Sequence, residues 1–422
     1  MVACPDARPP LAPTRLARIL VCALAMLFLP VAAWAQHWVA AWAMAPVDHS
    51  ALAVQPASLR TLDNETLRQR VVVTAGGSQV RVRLSNLYGT TPLAIGAASV
   101  ARSTGGDAIA RRWIEALSFQ GRREVQVAPG AQVWSDPIRL PVVAGQALAV
   151  SVYLREPSIL ATGHPGVPPA AWSLPGDQTM AAKPSNAQAL PWNPLVTGVD
   201  VLVTAPARVV AAFGDSITDG PGVSDNAVDS YPAQLATRRR AADGAAPVAV
   251  VNLGISGNRL LRDGNGPSGV SRFGRDVLEQ SGVTHALILI GINDIGYGTV
   301  GGVRSPLVPA QQFASADEIV AGLQQIVRQA RARGVKVLLG TLLPFKGSTY
   351  WSEENEHARQ AVNRWIRGRQ DVDAVIDFDA ALRSPGDALS LAPAFDSGDH
   401  LHPSKAGLAA MAAAADVAEL SE

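Results

Sequence analysis

The second half of the chain alternates short apolar runs with segments of helical spacing, and this alternation constrains the fold more than any other feature of the sequence. The apolar runs that predict strands are 209–213, 248–252, 286–290, 335–340 and 374–378. The segments with helical spacing are 231–240, 273–280, 316–333, 354–369 and 403–420. Strict alternation of strands and helices forms βαβ units, whose strands are parallel and whose helices cover the sheet. Residues 207–422 are therefore predicted to form a three-layer α/β/α domain.

Residues 36–206 follow a different pattern, with the two-residue period of half-buried strands. This period is seen at 80–84 and 148–154, and long helical patterns are absent. The glycine pair at 76–77, between two apolar segments, predicts a β-hairpin. The stretch 163–194, rich in Pro, Ala, Ser and Asn, predicts a loop. We expect an antiparallel β-sandwich domain of jelly-roll-like type.

Residues 1–35 have the parts of a secretory signal peptide. Arg15 and Arg18 precede the apolar stretch 19–31, and a small-x-small cleavage site occupies 33–35. The alternative is an uncleaved membrane anchor, but the apolar stretch is shorter than the roughly 20 residues that span a bilayer. We therefore expect cleavage before residue 36 and an exported protein, periplasmic or extracellular, with no stable membrane anchor.

Composition restricts the classes of partner and of stabilising bond. Both cysteines, Cys4 and Cys22, lie within the predicted signal, so the mature protein is expected to lack disulfides and to depend on its hydrophobic core. Lys and Arg number 36 against 35 Asp and Glu, a formal net charge of +1, which gives no electrostatic case for nucleic-acid binding. The spacing of the histidines predicts no metal site.

Four polar clusters follow apolar runs or precede helical segments in residues 207–422. They occupy 213–220, 254–258, 291–294 and 399–403. The carboxyl ends of parallel strands meet at one edge of a sheet, where α/β proteins bind their ligands. We expect the four clusters to converge at this edge.

The residue types in these clusters predict nucleophilic catalysis. A serine hydroxyl becomes a good nucleophile when a base takes its proton, and Ser216 and His402 are the candidate pair. Asp399 precedes His402 by three residues, so its carboxylate can hold the imidazole Nδ1–H and leave Nε2 facing Ser216. His400 is the competing histidine, and in an extended segment it would point away from this group.

The four clusters, in this order, resemble the sequence blocks of the SGNH/GDSL hydrolase family. Carried over residue by residue, the resemblance implies Ser216 as nucleophile, with His402 and Asp399 as its catalytic partners. It also implies an oxyanion hole formed by the backbone N–H groups of Ser216 and Gly257 and the side-chain amide of Asn293.

The same resemblance implies a flavodoxin-like fold for residues 207–422, and similar amino-terminal β domains accompany some secreted members of the family. Nothing in the sequence requires a cofactor or a metal. A Gly-x-Ser-x-Gly elbow does not occur in the sequence, which argues against the ordinary α/β-hydrolase fold.

Side chains near these blocks bear on specificity. Arg259, Arg262 and Arg272 flank a glycine-rich loop and predict either a solvated loop or a site for an anionic or sugar leaving group. Tyr350 and Trp351 could form an acyl or sugar wall.

We interpret the chain as an exported serine esterase that hydrolyses carboxylic esters through an acyl-serine intermediate. The expected substrates have short acyl groups, for example O-acetyl groups on carbohydrates, so the partner is a small-molecule or carbohydrate ester. Two alternatives stay open: a lysophospholipase or thioesterase type of acylhydrolase, and a non-catalytic carbohydrate-binding protein on the same scaffold.

Overall fold

The computed structural model describes Met1 and residues 36–51, 61–165, 170–220, 226–241 and 247–420. Gln36–Glu422 forms one compact unit. The predicted signal peptide lies outside the described residues, apart from Met1. Among the residues described, none of the helices has the length and apolar character needed to cross a membrane.

The first part of the compact unit is built from β-strands. They are β1 (His37–Ala43), β2 (Val47–Asp48), β3 (Thr61–Leu62), β4 (Glu65–Val72), β5 (Val80–Ser85), β6 (Leu93–Gly105), β7 (Ala108–Ala116), β8 (Val125–Val127), β9 (Gln132–Trp134), β10 (Ala147–Leu154), β11 (Ser158–Ile159), β12 (Thr162–Pro165), β13 (Ala171–Pro175), β14 (Gln188–Leu190), β15 (Trp192–Pro194) and β16 (Val196–Val203).

These strands form antiparallel sheets, as the two-residue period predicts. One sheet has the order β1-β16-β5-β9, and a larger one has the order β14-β13-β4-β10-β6-β7, with β8 paired to β6. Two smaller sheets have the orders β15-β12-β2 and β11-β3. Leu67 of β4 and Val82 of β5 are fully buried in one shared hydrophobic core. The predicted loop at 163–194 is wrong in part, because β12 to β15 lie within it; residues 166–169 are outside the described part.

The predicted hairpin at the two glycines is wrong. β4 pairs with β10 and β13, whereas β5 pairs with β16 and β9, so the glycines connect two sheets. Gly77 exchanges two backbone hydrogen bonds of 3.0 Å with Val142. A Cβ atom at Gly77 would lie 2.7 Å from the carbonyl oxygen of Leu202. The glycine is therefore needed for close backbone approach and not for a tight turn.

The second part of the unit contains a parallel sheet. Its strands and a short hairpin are β17 (Arg208–Gly214), β18 (Val248–Gly254), β19 (His285–Leu289), β20 (Thr299–Val300), β21 (Val303–Arg304), β22 (Lys336–Gly340) and β23 (Ala374–Ile376). The five parallel strands have the order β18-β17-β19-β22-β23, and β20 pairs with β21 in the separate hairpin. Numbered among themselves, the parallel strands run 2-1-3-4-5, which is the flavodoxin-like order. The predicted three-layer α/β/α fold is confirmed.

Helices follow the strands as the apolar spacing predicts. They are α1 (Ser216–Asp219), α2 (Asn226–Asp229), α3 (Tyr231–Ala241), α4 (Gly269–Phe273), α5 (Ile292–Gly296), α6 (Ala316–Ala332), α7 (Glu353–Arg367), α8 (Phe378–Leu382) and α9 (Lys405–Ala414). A π-helical turn, Gly274–Leu278, follows α4, and 3₁₀ turns occupy Ala310–Gln312 and Ala418–Leu420.

Local capping explains where these helices begin. Ser315 and Glu318 form a reciprocal capping box at the start of α6. The apolar run predicts that Phe378 ends the preceding strand, but Phe378 begins a helix. Asp377 caps this helix, α8, by accepting a hydrogen bond from the N–H of Ala380. The predicted strand is therefore shortened to Ala374–Ile376.

The antiparallel region contacts the outer edge of the parallel sheet, where β18 is the terminal strand. The Thr74 hydroxyl donates to the carbonyl oxygen of Ala41 at 2.9 Å and accepts from the backbone N–H of Val250 at 3.1 Å. The backbone N–H of Ala40 donates to the Ser281 carbonyl oxygen at 2.9 Å. The two predicted domains are thus joined by hydrogen bonds, and the boundary at residue 206 stays a prediction.

His49 has an environment that opposes its protonation. Its imidazole is fully buried against Trp192, with ring centroids 4.2 Å apart. Within the described residues, neither ring nitrogen has a hydrogen-bond partner. Burial, aided by the charge of His164, lowers the pKa of His49 from 6.5 to about 4.

We expect the free energy of unfolding to fall as the pH decreases from 6.5 to about 4, because the unfolded chain protonates His49 at a higher pH than the folded chain. His49→Phe, which keeps the contact with Trp192, should reduce this slope in denaturant titrations across the interval. His357→Gln, at an exposed histidine, is the control and should keep the wild-type slope. An unchanged slope in His49→Phe would contradict the assignment.

Candidate active site

Ser216 follows β17, which lies between the edge strand β18 and the central strand β19 of the parallel sheet. The apolar side chains of β17 are fully buried, and the strand ends at Gly214. Asp215 then caps α1, because its carboxylate accepts a hydrogen bond of 3.0 Å from the N–H of Ile217. Ser216 is the first residue of α1, with a side chain that reaches the carboxyl edge of the sheet.

The structure brings Ser216, His402 and Asp399 into one chain of hydrogen bonds. The Ser216 Oγ lies 2.8 Å from His402 Nε2, and His402 Nδ1 lies 2.6 Å from Asp399 Oδ2. His400 does not compete, since its Nδ1 contacts Asp396 at 2.5 Å. The arrangement expected from the sequence is therefore present as geometry, and the catalytic roles stay a prediction.

The Asp399 carboxylate fixes the proton positions along this chain. Partial burial opposes its ionisation, but hydrogen bonds from the side chain and backbone of His402 and from the N–H of Leu401 outweigh burial and hold the pKa of Asp399 far below its ordinary value. An ionised carboxylate accepts the Nδ1–H of His402. Nε2 then carries the lone pair that can take the Ser216 proton.

The predicted oxyanion residues follow neighbouring strands at the same edge. In the register of the sheet, Gly214 of β17 is paired with Gly254 of β18 and with Leu289 of β19. Ser216, Gly257 and Asn293 come two, three and four residues after these positions. The three strands thus deliver the three predicted donors to one edge.

Two contacts orient the Asn293 amide. Its Nδ2 donates to the carbonyl oxygen of Asn258 at 3.0 Å, and its Oδ1 accepts from the Tyr350 hydroxyl at 3.1 Å. Gly257 has a φ of +73°, a conformation that favours glycine. One N–H of the Asn293 amide is left for a ligand. Sequence reasoning assigned Tyr350 only to a substrate wall and missed its contact with Asn293.

Arg272 is fully buried and holds the site segments together, so the prediction of a leaving-group site is wrong for this residue. Its guanidinium donates to the carbonyl oxygens of Gly214 at 2.7 Å and Leu253 at 2.9 Å, and to Asn258 Oδ1 at 2.9 Å. The Asp276 carboxylate balances its charge at 3.0 Å.

Arg259 and Arg262 also have partners within the protein. Arg259 Nη1 donates to Gln312 Oε1 at 3.0 Å, and Arg262 Nε donates to the Gln311 carbonyl oxygen at 2.7 Å. These contacts attach the glycine-rich loop to the 3₁₀ turn at 310–312. The loop is therefore tethered and not simply solvated.

Two buried carboxyl groups beside the predicted catalytic residues behave differently from Asp399. Burial raises the pKa of Asp215 to about 7 and that of Asp294 to about 6. Asp294 accepts from the backbone N–H groups of Leu260 at 2.6 Å and Leu261 at 3.0 Å. Asp294 thus binds loop backbone, whereas Asp215 binds the backbone at the start of α1.

A cavity of about 300 Å³ lies between the antiparallel region and β18. Its lining includes Trp42, Trp172, His164, Asp219 and Asn252, and neither Ser216 nor His402 lines it. This cavity therefore adjoins the segment after the candidate nucleophile without containing the Ser216 hydroxyl.

A further group near the site could not be found from the sequence. His164 Nε2 lies 3.0 Å from Asp219 Oδ1, and the Ser256 hydroxyl lies 2.6 Å from Asp219 Oδ2. Asp219 and Ser256 belong to the polar clusters, but no spacing links them to a histidine of β12. Among the described residues, His, Cys, Asp and Glu side chains form no group of three or more that could hold a metal ion.

A flavodoxin-like sheet with a hydrogen-bonded serine, histidine and aspartate at its carboxyl edge is an arrangement found in hydrolases. Residues 212–410 match the model of the GDSL-like lipase/acylhydrolase family. These residues form a GDSL-like lipase/acylhydrolase domain, and the match supports an esterase or acylhydrolase activity. No curated protein matches the sequence.

Solved structures similar to the chain cover about half of it. A putative lipolytic protein of the G-D-S-L family from Desulfitobacterium hafniense is 21% identical, with 49% of this chain and 97% of that chain covered and a TM-score of 0.37. A catalytic mutant of an acetylxylan esterase from Geobacillus stearothermophilus is 24% identical, with 50% and 93% covered and a TM-score of 0.40.

Removing the Asn293 amide should lower kcat by about 100-fold, because an oxyanion donor acts in the transition state. Tyr350→Phe removes only the hydrogen bond that orients the amide and should lower kcat by roughly 3- to 10-fold. Steady-state kinetics of Asn293→Ala and Tyr350→Phe, with circular dichroism to verify folding, test both expectations. A folded Asn293→Ala variant with wild-type kcat would exclude the assigned role.

Proposed function

We propose that this protein is a serine-dependent carboxylic ester hydrolase. The observation that carries the proposal is the continuous hydrogen-bond chain from Ser216 through His402 to Asp399, with distances of 2.8 and 2.6 Å. A hydroxyl, an imidazole and an ionised carboxylate in this order are the groups that acyl transfer requires.

In the proposed mechanism, His402 Nε2 takes the Ser216 proton while Oγ forms a bond to the ester carbonyl carbon. The N–H groups of Ser216 and Gly257 and the Asn293 amide stabilise the negative oxygen of the tetrahedral intermediate. The intermediate collapses as the bond to the alcohol oxygen breaks, and His402 returns the proton to the leaving alcohol. Water then repeats these steps on the acyl-serine and releases the acid.

We propose a short acyl group and a large alcohol, such as an acetylated carbohydrate. The Tyr350 ring fills the space beside Asn293. The ring also packs closely against Gly296, where an added Cβ atom would lie 2.0 Å from the ring. The little space left beside Asn293 supports a small acyl group. The leaving alcohol departs on the side of His402. The His402 and Asp399 side chains are 27% and 51% exposed, which supports access for a bulky alcohol.

A long-chain acylhydrolase is the second candidate, and a specific feature favours it. Val300, Val303 and Leu307 are 71%, 67% and 91% exposed in the segment that follows α5. An apolar acyl chain would cover such side chains. The preferred length of the acyl chain therefore distinguishes a short-acyl esterase from a long-chain acylhydrolase.

Hydrolysis of p-nitrophenyl esters from acetate to palmitate is expected to peak at acetate or butyrate and to disappear in Ser216→Ala. Ser271→Ala, at an exposed serine outside the site, is the matched control and should retain full activity. An optimum at long chains would favour the acylhydrolase. Carbohydrate binding that persists without Ser216-dependent hydrolysis of any ester would favour the non-catalytic alternative.

We also propose export to the periplasm or the medium, supported by Arg15, Arg18 and the apolar stretch 19–31. Amino-terminal sequencing of the protein produced in a bacterial host should give Gln36 as the first residue, in the periplasmic or extracellular fraction. A full-length chain retained in the cytoplasm or membrane would contradict the proposal.

A further inference from the structure

His164 connects the antiparallel region to the segment that carries the candidate nucleophile. It lies on β12 and is buried, with 7% of its surface exposed. Its Nδ1 lies 2.9 Å from the Ala45 carbonyl oxygen, and its Nε2 lies 3.0 Å from Asp219 Oδ1. Asp219 is the last residue of α1, three positions after Ser216.

The contacts of His164 require a protonated imidazole. Both ring nitrogens face oxygen acceptors, so both must donate, and only the imidazolium carries two N–H groups. Burial and the nearby Arg272 oppose this charge, but the Asp219 carboxylate raises the pKa of His164 above its ordinary value. His164 and Asp219 thus form a buried ion pair, which is strongly directional in a region of low dielectric.

The same carboxylate reaches the predicted oxyanion loop. Asp219 Oδ2 accepts a hydrogen bond of 2.6 Å from Ser256 Oγ, and Ser256 directly precedes Gly257. The Asn252 amide adds a contact by donating to the Thr218 carbonyl oxygen at 2.9 Å. Asp219, the last residue of the helix that begins with Ser216, therefore connects this helix to the loop that contains Gly257.

We propose that His164 is a positioning residue for ester hydrolysis: through Asp219 and Ser256 it fixes α1 and the Gly257 loop relative to each other. The inference rests on the proposed function and gives the antiparallel region a part in it. Residues 36–206 then contribute a side chain without which the two backbone donors are held less rigidly.

This role has a kinetic signature. His164, Asp219 and Ser256 act on the positions of the nucleophile and of the backbone donors to the oxyanion, so their loss should lower kcat and leave KM nearly unchanged. Substitution of a residue that merely stabilises the fold would lower the melting temperature without this selective effect.

The test compares four variants by kcat, KM and hydrogen–deuterium exchange. Ser256→Ala removes the donor to Asp219 and should lower kcat by about 10-fold, whereas Ser256→Thr keeps the hydroxyl and should retain kcat within about threefold. His164→Gln should also lower kcat, and the double variant with Ser256→Ala should lose less than the product of the single losses, because both act through Asp219.

Tyr88→Phe is the matched control. It removes another hydrogen bond between the two regions, from Arg275 Nη1 to the Tyr88 hydroxyl at 2.8 Å, and does not touch Asp219. Amide exchange in peptides that contain 216–220 and 254–258 should accelerate in His164→Gln and Ser256→Ala, and not in Tyr88→Phe.

The exchange measurement separates the two proposals. A wild-type protein without Ser216-dependent hydrolysis would overturn the proposed function, and unchanged exchange in both network variants would overturn the positioning role independently. Wild-type kcat in folded Ser256→Ala and His164→Gln would also overturn it. Accelerated exchange together with the fall in kcat and its rescue by threonine is the result expected.

Discussion

The site depends on one buried guanidinium. Arg272 donates to the carbonyl oxygens of Gly214 in β17 and Leu253 in β18 and to the Asn258 side chain, and Asp276 neutralises it. The Gly214 carbonyl oxygen also accepts the backbone N–H of Ile255 at 3.1 Å, so the guanidinium is a second donor to this buried oxygen. A planar group with several donors links the ends of the two strands and helps to set the distance between them. The positions of Ser216 and the Gly257 loop follow from this distance.

The surroundings of each carboxyl group in the site determine the direction of its pKa shift. Asp399 stands in a partly exposed loop and receives several hydrogen bonds, which favours its charged form. Asp215 and Asp294 are buried, and their pKa values of about 7 and 6 lie well above the ordinary value. Sequence position alone does not separate these roles, since each aspartate lies within three residues of a predicted functional residue. Desolvation separates them, and it is known only after folding.

The sequence predicts the parallel domain well because its signals are local. Apolar runs such as 209–213 lie within the observed strand Arg208–Gly214, and helical spacing matches α6 almost to the residue. The chain of Ser216, His402 and Asp399 could be anticipated because each residue stands in a recognisable block. The glycines at 76–77 show where prediction from the sequence fails. Glycine is required both in a tight turn and at a close approach of two sheets, so the residue type alone does not distinguish them. The contact of His164 with Asp219 could not be predicted, because the two residues are 55 positions apart and no local sequence pattern indicates the pair.

The bond between Thr74 and Val250 has a consequence for how the chain can be divided. β18 ends the parallel sheet, and its outward backbone groups would be open to pairing if residues 36–206 were removed. Separate production of the carboxyl-terminal half would thus present a long apolar strand to other copies of itself, an arrangement that leads to aggregation. Insolubility of such a fragment would reflect an uncovered sheet edge and would carry no information on whether the catalytic groups are correctly formed. The amino-terminal region thus covers the edge of the parallel sheet, and exchange of this region between relatives would have to preserve the contact of Thr74 with β18.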